Sequence, residues 1–157
     1  MNKDKICAVI LTGGLSTRMG GGNKTLKKFN NKFIFDRVFE KISSQSKKIL
    51  INNNDNESAF KNYNTTIIQD EIKGFIGPLA GIHASFKWMT DNNKYEWLIT
   101  IPGDTPFIPN NLVNSLLQKA KFDEKKIVIA KSYGKKHPII GIWHLSLYND
   151  LELKIKE

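Results

Sequence analysis

The chain has 157 residues, 40% of them hydrophobic and 25% charged, an ordinary globular composition that excludes a disordered or collagen-like chain. Its net charge is +9, and residues 1–48 alone carry 11 basic and 3 acidic side chains. Two interpretations of this positive charge stay open. It could bind a nucleic-acid partner. It could also reflect a coding bias that fills solvated surfaces with lysine, because Lys outnumbers Arg 22 to 2.

Cys7 is the only cysteine of the sequence, so no intramolecular disulfide can form. We expect Cys7 to be a small core residue, because it lies within the apolar run from Ile6 to Leu11. That run is too short for the core of a signal peptide or for a membrane span. We therefore expect a cytoplasmic protein of one domain, residues 1–157, with no membrane partner.

Short, nearly continuous apolar runs predict strands that are covered on both faces of a sheet. Apolar residues at helical spacing lie between these runs and predict helices. This alternation predicts an α/β fold, a three-layer α/β/α sandwich around a mainly parallel sheet. The predicted strands are ICAVIL (6–11), KILI (48–51), TTII (65–68), WLITI (97–101), KIVIA (126–130) and IIGIW (139–143), and the predicted helical faces are Phe35/Val38/Phe39/Ile42, Leu79/Ile82/Phe86/Met89 and Leu112/Leu116/Ala120.

A glycine-rich segment, LTGGLSTRMGGGNK (11–24), follows the first strand. Ligands of such sheets bind at the carboxyl ends of the strands, so this segment is a candidate site. Its five glycines let backbone amides approach an anion, and Arg18 and Lys24 add positive charge. The pattern favours a polyphosphate site over a flexible turn. It is neither a P-loop nor a dinucleotide fingerprint, because the required glycine positions of both motifs fail.

Three further segments follow strands or precede helices. PGDTPF (102–107) holds Asp104 between two prolines, which restrict the backbone around a carboxylate suited to Mg²⁺. Asn52 and Asp70 follow other strands and could hydrogen-bond a base or a ribose, although such residues also form turns. Gly77-Pro78 predicts the start of a helix, whose free amides would either face the ligand or only begin the helix.

Together with GPLAG (77–81) and HPIIGIW (137–143), these segments resemble the molybdenum cofactor guanylyltransferases over nearly the whole chain. The glycine-rich segment resembles the signature of the wider nucleotidyltransferase superfamily, and GPLAG with PGDTPF narrows the resemblance to this branch. The resemblance implies a Rossmann-like nucleotidyltransferase fold and Mg²⁺ as cofactor. It also implies transfer of GMP from GTP to the phosphate of molybdopterin, with acceptor molybdoenzymes or their chaperones as further partners.

The resemblance also implies roles for individual residues. Arg18, Lys24 and Asp104 would be catalytic, and Asp104 would also bind the metal. No strong general base is needed, because the attacking phosphate is already anionic at pH 7. The residues implied to contact the nucleotide are Leu11, Thr12, Gly13, Gly14, Lys24, Asn52, Asp70 and Asp104.

The chain departs from the family pattern at three places. Thr12 stands where Ala is usual, and Asn23 replaces a frequent Asp. Family members usually continue past the position of Glu157 through an N-x-N-T-P element, so we expect this chain to lack the C-terminal part of the family fold. Such a chain would bind its ligands with impaired turnover.

Three alternative functions stay open. One is a nucleotidyltransferase for another base or acceptor, such as cytidylyl transfer to molybdopterin or transfer to a sugar or isoprenoid phosphate. A second is a non-catalytic nucleotide-binding module. The third, a nucleic-acid binder, is disfavoured because most of the nine Phe residues lie at core spacings.

Overall fold

The computed structural model describes residues 3–12, 24–55, 57–72 and 77–156. Within these residues the chain forms eight strands and four α-helices. The strands are β1 (Ile6–Leu11), β2 (Lys28–Phe29), β3 (Lys32–Phe33), β4 (Lys48–Asn52), β5 (Thr66–Ile68), β6 (Trp97–Pro102), β7 (Ile127–Ser132) and β8 (Lys135–His144). The helices are α1 (Ile34–Ser43), α2 (Pro78–Asn92), α3 (Leu112–Phe122) and α4 (Tyr148–Lys156). Short 3-10 helices span Lys3–Lys5, Lys24–Leu26, Glu57–Tyr63 and Leu145–Leu147.

Six of the strands form one sheet in the order β5-β4-β1-β6-β8-β7. β5, β4, β1 and β6 are parallel to one another, whereas β8 is antiparallel to β6 and β7 is antiparallel to β8. The parallel register places Leu11 of β1 opposite Asn52 of β4 and Pro102 of β6. The carboxyl ends of the parallel strands therefore meet at one edge of the sheet.

The core lies on both faces of this sheet, as a three-layer sandwich requires. On one face Ile6, Ala8 and Ile10 of β1 pack against apolar residues of α1 and α3. On the other face Cys7, Val9 and Leu11 pack against α2, with residues of α4 at the margin. Every residue of β1 is buried, because successive side chains of a strand alternate between two covered faces.

Local sequence explains where the main helices begin and end. Asp36 accepts a hydrogen bond of 3.0 Å from the backbone N–H of Phe33, which satisfies a free donor at the start of α1. α2 begins at Pro78, whose missing N–H costs nothing at the first helical position. It ends at Asn93, whose left-handed conformation (φ +47°) lets its N–H bond to Met89.

The predicted α/β fold, six strands and three helices are confirmed, and Cys7 is fully buried. Burial raises the pKa of its thiol from 9.0 to about 12, so the thiol stays protonated at neutral pH. Three details differ from the sequence prediction. Leu79 is 38% exposed although its spacing predicts a core face, β7 is poorly covered because it is an edge strand, and His137-Pro138 lies within β8.

The sequence did not predict the small β2–β3 hairpin or α4. The hairpin is too short to show a strand periodicity, and none of the α4 residues is buried. None of the helices in the described ranges is long and apolar enough to cross a membrane.

A buried hydroxyl group adds to the backbone pairing between β6 and β8. Thr100 Oγ1 donates to the Ile139 carbonyl at 2.6 Å and accepts a hydrogen bond of 3.0 Å from Trp143 Nε1. Both partners lie on β8, so Thr100 adds two side-chain hydrogen bonds to the backbone pairing of β8 with the carboxyl half of β6.

We expect Thr100→Val to lower the free energy of unfolding by about 1–3 kcal/mol, because the substitution leaves the Ile139 carbonyl and the Trp143 N–H without their partner. Urea denaturation followed by tryptophan fluorescence measures this change. Thr100→Ser keeps the hydroxyl and is the matched control. Equal destabilisation of the two variants would contradict the role given to the hydroxyl.

Candidate functional site

The carboxyl edge of the parallel strands brings together polar residues that are distant in the sequence. In order across the sheet, Asp70 follows β5, Asn52 ends β4, Thr12 follows β1 and Asp104 follows β6. The sequence prediction named all four. Their approach follows from the parallel register, which aligns the ends of β4, β1 and β6.

Asp70 lies in a hydrogen-bonded network with two asparagines. Asn52 Nδ2 donates to Asp70 Oδ1 at 2.9 Å, and Asn54 Nδ2 donates to Asp70 Oδ2 at 2.7 Å. The Asp70 backbone N–H donates in turn to Asn54 Oδ1 at 2.8 Å. These contacts fix the orientation of the carboxylate, which keeps lone pairs for hydroxyl or N–H donors of a ligand.

Thr12 joins the end of β1 to the end of β4. Its backbone N–H and its hydroxyl both donate to the Asn52 carbonyl, at 3.0 and 2.8 Å. The hydroxyl also accepts a hydrogen bond of 2.9 Å from Asn53 Nδ2. The threonine that departs from the family's usual alanine therefore uses its hydroxyl within the protein, where it holds the start of the glycine-rich segment against β4.

Asn53 and Asn54 belong to the site although the sequence analysis did not single them out. Asn53 is 1% exposed and Asn54 orients Asp70. The run NNNDN (52–56) was available as a signal, but polar runs of this kind also form ordinary loops. The partners of these two amides become visible only in the folded structure, where Asn53 donates to Thr12 and Asn54 donates to Asp70.

Gly81 of the GPLAG motif and Gly103 of the PGDTPF motif allow close packing at this edge. A Cβ atom on Gly81 would lie 2.5 Å from Asn52 Oδ1 and 2.7 Å from Leu11 Cδ2. A Cβ atom on Gly103 would lie 2.8 Å from Thr25 Cγ2. Any side chain at Gly81 would separate the start of α2 from the ends of β1 and β4.

Asp104 lies at the other side of the edge, where its side chain is exposed. Among the described residues, none forms a hydrogen bond or an ion pair with this carboxylate. The preceding Gly103 donates to the Leu11 carbonyl at 2.9 Å and packs against Thr25. Since Thr25 follows Lys24 directly, the backbone of Lys24 also lies near the Asp104 loop.

Three of the predicted site residues, Gly13, Gly14 and Arg18, lie outside the described residues, as does the side chain of Lys24. For the described part of the chain, no group of three or more His, Cys, Asp or Glu side chains could hold a metal ion.

A polar groove of about 410 Å³ continues from the Asp70 network along α2. Lys87 and Glu71 form an ion pair of 2.6 Å on its wall, and Trp88 lies beside them. The hydrogen bond that Lys87 donates to the Glu71 carboxylate raises the pKa of Lys87, so this lysine remains charged at neutral pH. Asp70 thus contributes both to the network at the strand ends and to the groove.

Comparison with known proteins places this arrangement among nucleotidyltransferases. Residues 8–156 match the model of the family described as MobA-like NTP transferase domain. The chain is 36% identical over 145 residues to the molybdenum cofactor guanylyltransferase of Rhodopseudomonas palustris (strain BisB5), covering 92% of this chain and 69% of that protein. It is 37% identical over 146 residues to the molybdenum cofactor guanylyltransferase of Yersinia pseudotuberculosis (strain IP 31758), covering 93% and 72%.

A solved structure shows the same fold. The molybdopterin-guanine dinucleotide biosynthesis protein A from Archaeoglobus fulgidus superposes with a TM-score of 0.74 at 25% identity. The matched region covers 96% of this chain and 73% of that protein. The likeness therefore extends over nearly all of the α/β sandwich described above.

We expect Gly81→Ala to lower the free energy of unfolding by about 1–3 kcal/mol, because the added Cβ atom overlaps Asn52 and Leu11. Thermal and urea unfolding measure the change. Helix propensity alone would raise the free energy of unfolding, because alanine stabilises a helix interior by about 1 kcal/mol relative to glycine. A more stable variant would therefore show that the close approach of α2 to the strand ends is not a constraint.

Proposed function

The chain belongs to the MobA-like NTP transferase family, and we propose that it transfers GMP from GTP to the phosphate of molybdopterin, with release of pyrophosphate. The product is the guanine dinucleotide form of the cofactor. The main support for the proposal is that Asn52, Asp70 and Asp104 lie along one edge of the sheet. The chain that contains this edge matches guanylyltransferases over most of its length. Residues 1–157 would form one nucleotidyltransferase domain, and the match spans 69% of the length of the Rhodopseudomonas palustris relative.

The Asp70 network is the proposed binding site for the guanosine part of GTP. Asn52 and Asn54 occupy one position on each carboxylate oxygen, and the remaining lone pairs can accept from ribose hydroxyls or from guanine N–H groups. Asn52 is 4% exposed and held between Asp70 and Gly81, so it presents the carboxylate in one orientation. Leu11 and Thr12 lie beside this network and would contact the nucleotide through the backbone.

The triphosphate would bind at the glycine-rich segment that follows β1. Gly13 and Gly14 would supply backbone amides, and Arg18 and Lys24 would supply positive charge to the phosphates. The hydrogen bonds of Thr12 to β4 support this proposal, because they direct the chain into the segment from a fixed starting point. The high positive charge of residues 1–48 agrees with a polyanionic ligand.

Asp104 fits the requirements of a Mg²⁺ ligand. Its carboxylate is exposed at the strand ends and makes no hydrogen bond with the described residues, so it keeps its lone pairs for a cation. Mg²⁺ commonly takes one or two carboxylates and completes its shell with substrate phosphates and water. When bound, the ion would supply positive charge that offsets the charge developing on pyrophosphate.

The reaction requires positioning and charge stabilisation more than proton transfer. An oxygen of the molybdopterin phosphate forms a bond to the α-phosphorus of GTP, the bond from that phosphorus to the bridging oxygen breaks, and pyrophosphate leaves. The attacking oxygen carries no proton that must be removed at pH 7, so no side chain needs to act as a general base. Arg18 and Lys24 would stabilise the departing pyrophosphate. The reaction would take place in the cytoplasm, where molybdoenzymes or their chaperones would receive the product.

The proposal predicts that pyrophosphate is released only when GTP and molybdopterin are present together with Mg²⁺. Release is measured for each of the four nucleoside triphosphates, with and without molybdopterin. Release with CTP in place of GTP would assign the chain to cytidylyl transfer. GTP binding without release under any condition would leave a nucleotide-binding module.

Asp104→Ala and Lys24→Ala are each expected to lower turnover by roughly 10²-fold or more, the effect of removing one preorganised electrostatic contact. The same pyrophosphate assay measures this. Asp150→Ala and Lys61→Ala remove equal charges from α4 and from the 3-10 helix Glu57–Tyr63, away from the site, and should leave turnover unchanged. Turnover near that of the unmodified chain for both site variants would overturn the roles assigned to Asp104 and Lys24.

A further inference from the structure

The β7–β8 hairpin lies next to β6, on the side of the sheet away from β1, β4 and β5. The proposed contacts with the guanosine lie at the ends of those three strands. Thr100 of β6 pairs with Gly141 of β8, and the two strands are antiparallel. The residues that precede Gly141 therefore run toward the carboxyl end of β6, where Asp104 follows. The sheet order then places Asp70, Asn52 and Thr12 on one side of Asp104 and the tip of the hairpin on the other.

The hairpin tip, residues 131–136, carries an uncompensated positive charge. Residues 125–149 contain five lysines and no Asp or Glu. Lys131 and Lys136 are direct cross-strand partners, so their side chains share one face of the hairpin. Neither ammonium group forms an ion pair or a hydrogen bond with any residue in the described ranges. Two like charges in this position repel each other, and a bound anion would relieve the repulsion.

An aromatic residue occupies the turn that connects the two strands of this hairpin. Tyr133 is fully exposed and has φ +47°, followed by Gly134 at φ +78°. Such turns favour Asn or Gly at both central positions, so turn formation does not account for a tyrosine. Its ring and hydroxyl are free to contact a flat heteroaromatic group.

Two contacts hold the hairpin in place relative to β6. Thr100 Oγ1 bonds to the Ile139 carbonyl at 2.6 Å, at the point where β8 passes the end of β6. Within the hairpin, Ser132 Oγ and His137 Nε2 are 2.7 Å apart and link the two strands next to the tip. The hairpin is therefore attached to β6, the strand that Asp104 follows.

We propose that Lys131, Tyr133 and Lys136 form the acceptor subsite, where the two lysines bind the phosphate of the acceptor and the tyrosine contacts its pterin ring. The inference rests on the proposed function, which makes the acceptor a phosphomonoester of a pterin. It explains why a lysine pair without acidic partners lies beyond the end of β6. The acceptor phosphate would then enter from the side opposite to the guanosine network.

The test uses the full chain and molybdopterin as the probe. The double variant Lys131→Ser/Lys136→Ser should raise the Kd for molybdopterin about tenfold or more, because two charge-assisted hydrogen bonds are lost. Pterin fluorescence measures binding, and pyrophosphate release gives the KM values for molybdopterin and GTP separately. The KM for GTP should stay within about twofold, because no proposed GTP contact is changed. Lys131→Arg/Lys136→Arg keeps both charges and should retain binding.

The matched control is Lys125→Ser/Lys126→Ser, which removes the same charge from the opposite end of β7. Equal molybdopterin affinity in the tip variant and this control would overturn the acceptor subsite, and so would an equal rise of both KM values. Binding is measured independently of turnover. If the unmodified chain releases no pyrophosphate, the proposed function fails, while the comparison of the two double variants in the binding assay still decides the subsite.

Discussion

The organisation of the molecule depends on the pairing of β1 with a parallel neighbour on each side. All six residues of β1 are buried, so its backbone N–H and C=O groups can be satisfied only by β4 and β6. The two pairings align Leu11 with Asn52 and with Pro102. As a consequence, strands whose last residues are about 40 and 90 positions apart in the chain end side by side. The polar residues of the candidate site lie at these strand ends or just beyond them.

The site needs close packing as well as alignment. Asn52 is surrounded by β1, β5 and α2, where its carbonyl accepts from Thr12, its amide donates to Asp70 and its side-chain oxygen faces Gly81. A buried amide in this position must satisfy its polar atoms within the protein. The resulting network fixes the orientation of Asp70, which would lower the entropic cost of the proposed nucleotide binding. Rigidity on the Asp70 side contrasts with Asp104, whose exposed carboxylate has no partner among the described residues.

Charge is distributed along the edge in a way that matches two anionic substrates. Residues 1–48 hold most of the excess charge and lead into and out of the proposed triphosphate segment, whereas the lysines of the hairpin tip lie beyond β6. Asp104 lies between the two regions. A nucleoside triphosphate on one side and a phosphorylated acceptor on the other account for this distribution without nucleic acid.

Local sequence determined the main strands, three of the helices and the type of fold. Apolar runs and helical spacings predicted all six strands of the main sheet and the first three helices. Burial on both faces of a strand gives a continuous apolar run, and burial of one helix face gives apolar residues at helical spacing. Motifs after the strands also pointed to Asn52, Asp70 and Asp104. Tertiary structure alone decided that Asn53 and Asn54 belong to the site, that Thr12 uses its hydroxyl internally, and that β8 runs antiparallel toward Asp104. These features arise from strand pairing and from hydrogen bonds between segments far apart in the chain, which no local pattern encodes.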